Sequence, residues 1–221
     1  NEKINIYIIH KEPEKFKKYK KKILKHEKLN ELHIQKFVNV FEFPGLFEAH
    51  VSEATYYRLF IEDYIPKNVE HLIYMDADTV VINPVYKVIF DLKNKLINSD
   101  NVISVKTEKD LSDSTKRLGL NNGKYFNAGV MIIDFNKWVD NKLSEKLIER
   151  MESIKSQILF WDQDVLNSYF DGKYQELDEI YNYKIDVDDK RQKKCDRSDA
   201  MIIHYVGKSK PWTVRGSIKE N

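Results

Sequence analysis

An α/β fold is predicted for this chain of 221 residues, and three observations carry the prediction. The chain opens strand, helix, strand, with lengths that suit a parallel unit. Short apolar runs then alternate with segments of helical period. A pair of acids stands at the end of one apolar run, where α/β sheets place their ligands.

The elements follow in order. Ile4 to Ile9 reads as a buried strand. Lys11 to Lys28 holds nine lysines and three glutamates, with Phe16, Tyr19, Ile23 and Leu24 at helical spacing. This predicts a surface helix with one face on the core and a solvated lysine face. Leu32 to Val40 alternates as a second strand. Glu53 to Tyr64 reads as a helix, with Ser52 as N-cap and Pro66 as its stop. His71 to Met75 is a short apolar strand that runs into Asp76-Ala77-Asp78. Asn101 to Val105 and Ala128 to Asp134 are further strands. Asn136 to Ile154 reads as one helix carrying Trp138, Leu143, Leu147, Ile148 and Met151, and Gln163 to Phe170 as another. Asp186 to Asp199 is charged without a period and reads as a solvated loop. Ile202-Ile203 leads a last strand into His204.

Composition narrows the function. The chain carries 37 Lys+Arg against 35 Asp+Glu, with 42% hydrophobic residues and only 7 Gly and 5 Pro. That is globular composition in one expected domain, residues 1–221, and not disordered or collagen-like material. The balanced charge argues against a nucleic-acid partner. The single cysteine, Cys195, forms no internal disulfide and fits a reducing compartment. No apolar run reaches membrane-spanning length, and the opening residues lack a signal-peptide layout. A cytoplasmic location is expected. The lysine run can alternatively lie against an anionic membrane surface, although a solvated face accounts for it as well.

Leu72-Ile73-Tyr74-Met75-Asp76-Ala77-Asp78 is the strongest local signal. On an extended segment, residues two apart point the same way, so both carboxylates can face one Mg²⁺ or Mn²⁺. Two enzyme classes place acids like this. In haloacid-dehalogenase-type phosphatases the first acid is a nucleophile and the second an acid/base. In nucleotide-sugar transferases the pair holds a metal on a diphosphate. Locally the motif fits both. His204-Tyr205-Val206-Gly207-Lys208-Ser209-Lys210-Pro211-Trp212 joins a possible third metal ligand, His204, to a close-approach glycine, Gly207, and a phosphate-seeking cation, Lys210. A hydrogen-bonded core histidine is the plainer reading of His204. Asn127, ahead of Ala128-Gly129, and Asp162-Gln163 can offer amide and carboxylate groups to a polar ligand. Capping a helix is the plainer role for the last two.

Taken together in this order, these motifs resemble family-8 retaining glycosyltransferases of the GT-A fold, in the bacterial branch of lipooligosaccharide and lipopolysaccharide galactosyl- and glucosyltransferases. The run includes Ala54-Thr55-Tyr56-Tyr57-Arg58-Leu59, Tyr74-Met75-Asp76-Ala77-Asp78, Phe126-Asn127-Ala128-Gly129-Val130, Trp161-Asp162-Gln163-Asp164 and His204 to Trp212. The resemblance implies a mixed, mostly parallel sheet flanked by helices. It implies a metal-dependent hexosyltransferase that uses UDP-glucose or UDP-galactose and a saccharide or glycolipid acceptor. By position, Asp76, Asp78 and His204 match ligands of Mn²⁺ (or Mg²⁺). Arg58, Ala77, Asn127, Gly207 and Lys210 match the donor site, and Asp162 and Gln163 match residues beside the transferred sugar. The family's opening strand and helix, which hold the uracil, have no counterpart in this sequence, so a nucleotide-sugar-binding protein without turnover stands as a further alternative.

Overall fold

Alternating apolar residues at the start of the chain give β1 (Ile4–His10), and Pro13 then opens a 3₁₀ turn into α1 (Lys17–Ile23). β2 (Leu29–Lys36) returns parallel to β1, with Ile6 opposite Leu32 and Ile8 opposite Ile34. The computed structural model describes residues 3–38, 41–44, 52–109, 111–186, 188 and 199–213, leaving aside the side chains of residues 86–88. The chain divides into two units, Asn1–Asn68 and Val69–Asn221.

In the first unit the strand–helix–strand order is as expected, with shifted bounds. β2 begins and ends earlier than Leu32 to Val40, and residues 39–40 lie outside the described set. α1 is only seven residues long and none of them is buried; Tyr19 and Leu24 are exposed, so the expected apolar face is not on a core. Glu53–Asp63 is a 3₁₀ helix broken at Phe60, not an α-helix. Ser52 occupies the capping position but its side chain caps nothing. Aromatic packing explains the departure. Tyr57 stacks on Phe37 at 3.7 Å, Tyr56 stacks on Phe43 at 4.7 Å, and Phe60 meets Phe37 edge-on. Ring contacts of this kind fix each side chain more strongly than helix propensity does.

The second unit holds the larger sheets. After β3 (His71–Met75) come β4 (Thr79–Val81), α2 (Tyr86–Ile97), β5 (Ile103–Thr107), α3 (Ser112–Arg117) and β6 (Phe126–Asp134). Then follow α4 (Phe135–Asp140), α5 (Leu143–Ser153), α6 (Trp161–Phe170), β7 (Gln175–Glu176), β8 (Tyr183–Asp186) and β9 (Ile202–Val206). One sheet has the order β3-β6-β5-β7 and another the order β4-β9-β8. β6 is antiparallel to both β3 and β5, and β4 is antiparallel to β9, whereas β5 with β7 and β8 with β9 are parallel. The sheet is therefore mixed rather than mostly parallel. Every residue of β6 is buried, which its unbroken apolar run requires of a central strand. Val130 and Ile132 on that strand pack with Leu96, Leu177, Tyr181 and Ile202 as a core.

The helix expected over Asn136 to Ile154 is two helices. Trp138 and Leu147 are nine positions apart, roughly half a turn out of phase on one continuous helix, yet both are fully buried. The break reconciles them. Asn141 Nδ2 donates to the Lys137 carbonyl at 2.7 Å and Lys142 takes a left-handed conformation, φ 51°. Asp134 caps the first of the two helices by accepting the Lys137 N–H. Lys137 Nζ in turn lies within hydrogen-bond distance of the carbonyls of Leu96, Ile97, Ser99 and Asn101, which share its three N–H donors and tie down the end of α2. Of the charged stretch expected to be a loop, Asp186 ends β8, and residues 187 and 189–198, with Cys195 and Asp189 among them, lie outside the described set.

Candidate active site

β3 ends at Met75, and Asp76 prolongs its ladder by donating its N–H to the Gly129 carbonyl at 2.8 Å. The chain then turns. Thr79 returns its N–H (3.1 Å) and its hydroxyl (2.7 Å) to the Asp76 carbonyl. The two acids thus converge through a tight turn, not through the alternation of an extended strand. Ala77 sits exposed at the tip. β4 leaves the turn paired with β9 so that Thr79 lies opposite His204, and Tyr205 donates to the Asp78 carbonyl at 3.0 Å. Backbone pairing therefore delivers the imidazole to the carboxylates. His204 Nε2 lies 3.4 Å from Asp78 Oδ1 and 3.8 Å from Asp76 Oδ2. One ligand atom from each of the three residues falls within 4.8 Å of the others.

The electrostatics fit a cation. Lys210 Nζ donates to Asp78 Oδ2 at 2.6 Å and to the Tyr205 carbonyl at 2.8 Å. Asp78 Oδ1 is buried, faces the His204 edge and accepts no hydrogen bond. A buried carboxylate oxygen without a hydrogen-bond donor is costly and suits a metal ligand. Burial alone raises the Asp78 pKa; His204 and Lys210 outweigh it and hold the carboxyl at about 2. Tyr74 adds a hydrogen bond to Asp76 Oδ1 at 2.7 Å. Two hard oxygens and one imidazole nitrogen form a donor set suited to Mn²⁺ or Mg²⁺. Gly129 makes the room: a Cβ there would fall 2.1 Å from His204 Cε1.

Of the other expected residues, Asn127 and Gln163 join this group. Gln163 Oε1 accepts from the Ala128 N–H (3.1 Å) and from Asn127 Nδ2 (3.2 Å). Asp162 is buried in the first turn of α6, which begins at Trp161, two residues earlier than expected. Gly207 has φ 78°, and its missing side chain leaves space against the Asp186 carboxylate. Arg58 belongs to the first unit, where it is buried and donates to the Thr55 carbonyl at 3.2 Å.

Sequence reasoning passed over the polar shell behind these groups. Asp164 is fully buried and receives both Arg117 guanidinium nitrogens at 2.9 and 3.0 Å, the Tyr125 hydroxyl at 2.7 Å and the N–H groups of Leu159 and Phe160. So Asp164 satisfies open donors ahead of the helix. Asn167, one turn after Gln163, pairs its amide with both backbone groups of Phe126. Asn182 links His204 to Asn127. The four-residue spacing of Gln163 and Asn167 on one helix face was the readable signal for part of this shell.

A profile described as Glycosyl transferase family 8 matches residues 3–215, and so runs through both units. The chain belongs to glycosyl transferase family 8. Among its family-8 relatives, lipopolysaccharide 1,2-glucosyltransferase of Escherichia coli is 31% identical over 169 residues, covering 73% of this chain and 49% of the relative. Lipopolysaccharide 1,3-galactosyltransferase of Salmonella typhimurium is 31% identical over 170 residues, covering 72% and 49%. The galactosyltransferase LgtC, solved with donor and acceptor sugar analogs, superposes with a TM-score of 0.66 at 25% identity, over 79% of this chain and 66% of that one. The architecture is the GT-A fold. This family-8 chain spans about half the length of the curated relatives it matches. Family membership also displaces the phosphatase reading of Asp76 and Asp78.

Proposed function

We propose that the chain carries the catalytic site of a metal-dependent, retaining hexosyltransferase. It moves glucose or galactose from UDP-glucose or UDP-galactose to a saccharide or glycolipid acceptor of the lipopolysaccharide type. The observation that supports this most is the convergence of Asp76, Asp78 and His204 within 4.8 Å in a family-8 chain. A divalent cation held there supplies charge neutralisation as the UDP diphosphate departs. Lys210 presents its ammonium beside the same carboxylate and is assigned to the diphosphate, with Gly207, Ala77 and Arg58 as further donor-site residues.

Asn127, Asp162 and Gln163 are assigned to the transferred sugar. Gln163 is an amide, a poor nucleophile, and its oxygen already accepts two hydrogen bonds. This favours same-face attack over a double displacement. In that step the bond from the anomeric carbon to the phosphate oxygen breaks, the acceptor oxygen bonds to the same face, and the departing phosphate oxygen takes the acceptor proton. A cytoplasmic location belongs to this proposal; no helix among the described residues is long and apolar enough to cross a membrane. The exposed lysines of α1 are assigned either to solvent or to weak contact with an anionic membrane surface.

The test is a screen of UDP-sugars for Mn²⁺-dependent release of UDP. Release with UDP-glucose or UDP-galactose, lost in Asp78→Asn and in excess chelator, is expected. Full turnover in chelator overturns the metal assignment. Binding of UDP-sugars with no turnover on any acceptor makes the chain a binding protein instead.

A further inference from the structure

The face of His204 turned away from the acids is not free. Its Nδ1 lies 2.9 Å from the Asn182 side-chain oxygen, and Asn182 Nδ2 lies 2.8 Å from Asn127 Oδ1. His204, Asn182 and Asn127 are 4%, 1% and 8% exposed, so water does not replace these bonds. We propose that Asn182, itself held by Asn127, is the positioning residue that fixes the His204 tautomer, with the proton on Nδ1 and the Nε2 lone pair turned to the cation. This rests on the metal role proposed above for the same site.

The direction of each bond follows from two donors whose identity is beyond dispute, the backbone N–H groups of β6. The Gly129 N–H points at Asn127 Oδ1 at 3.0 Å, and the Ala128 N–H points at Gln163 Oε1 at 3.1 Å. Only oxygen accepts from an amide N–H. Asn127 must therefore turn its oxygen to Gly129 and its nitrogen to Gln163, and it does so at 3.2 Å. That oxygen also faces Asn182, which must answer with its own NH₂. Asn182 is then left with its oxygen toward His204, and an oxygen there requires a proton on Nδ1. In a neutral ring the other nitrogen carries the lone pair. It is Nε2 that lies 3.4 and 3.8 Å from the carboxylates. The tautomer is thus dictated by two peptide groups on a buried strand, relayed through two asparagines. Partners of this kind raise ligand basicity and fix ring orientation at metal centres, and their loss typically costs about 10- to 100-fold in metal affinity.

Two measurements test it, one without a metal. In the metal-free protein at a pH where imidazoles are neutral, two-bond ¹H–¹⁵N correlations of His204 should place the proton on Nδ1. A proton on Nε2 in the wild type overturns the proposal whether or not the chain binds Mn²⁺. The second is Mn²⁺ binding, titrated by electron paramagnetic resonance with the ion alone. Asn182→Ala should bind about tenfold or more weakly than wild type, with its thermal transition still cooperative. Asn182→Asp keeps an acceptor for the Nδ1 proton but loses the NH₂ that Asn127 Oδ1 accepts, so in the first measurement it should keep the proton on Nδ1, whereas Asn182→Ala should not hold it there. If the proton sits on Nδ1 equally in wild type and in Asn182→Ala, Asn182 does not fix the tautomer, and this outcome refutes the positioning role. A wild-type chain that binds no Mn²⁺ refutes the metal reading instead, and leaves the tautomer to be judged by the first measurement.

Discussion

Gly129 shows how much one missing methyl group does here. The His204 ring occupies the volume a Cβ would need, at 2.1 to 2.9 Å from three ring atoms. Gly129→Ala must push the imidazole off the carboxylates or move β6, which is buried throughout. Overpacking of this kind costs about 1–3 kcal/mol. We expect a lower melting temperature and Mn²⁺ affinity reduced at least as far as in Asn182→Ala, read by the same titration; wild-type affinity contradicts the ring placement. Asp78 gives a pH prediction. Its folded-state pKa, about 2, lies below the unfolded value of 3.8. The stabilisation is therefore fully present above pH 3.8 and disappears as pH falls through about 2. It amounts to about 2 kcal/mol, before discounting for the part of the side chain that meets solvent. Metal-free wild type should lose that much more stability across this window than Asp78→Asn, measured by urea unfolding at each pH. Both acids were legible in the sequence because an apolar run points straight at them. Asn182 was not, because a lone asparagine between two tyrosines carries no spacing that distinguishes a brace from a turn.

Among the elements, those with strong local signals were legible and those positioned from a distance were not. β6 announces itself by the apolar run Ala128 to Asp134, and the strand begins two residues earlier, at Phe126. α2 carries Leu92 and Leu96 on one face but no start signal, because the residue at its N-cap, Val85, makes no side-chain cap, and a start signal is what sequence reading relies on. α6 was read two residues late, since Asp164 satisfies its leading donors from inside the helix. The break between α4 and α5 carries no proline or glycine; it is imposed by the need to bury both Trp138 and Leu147. That leaves Lys142 left-handed at φ 51°, ψ 48°, a conformation that costs an L-residue about 1 kcal/mol or more. Lys142→Gly should therefore raise stability by about 1 kcal/mol, or roughly 2–4 °C in Tm for a chain of this size. A fall in Tm on calorimetry contradicts the strain at this position.

Over the whole molecule, the candidate site draws on segments far apart in sequence, and the bond from Lys210 to Asp78 spans 132 positions. That ammonium gives the metal-free centre a character of its own. Asp78 Oδ2 is already paired with that ammonium, so under the proposed function a divalent ion at Oδ1 would compete with a monovalent one, tethered to the same chain, for one carboxylate charge. A lysine held more weakly there would need a second anion, and the donor diphosphate would supply it. Metal and donor uptake should thus be cooperative, each tightening the other by the same factor. Lys210→Met removes the competitor, so it should tighten Mn²⁺ binding in the absence of donor, weaken UDP binding, and abolish most of the coupling between the two. Calorimetric titrations of each ligand with and without the other read all three quantities. A variant that binds the lone ion more weakly than wild type shows that Lys210 supports the centre and does not compete for it.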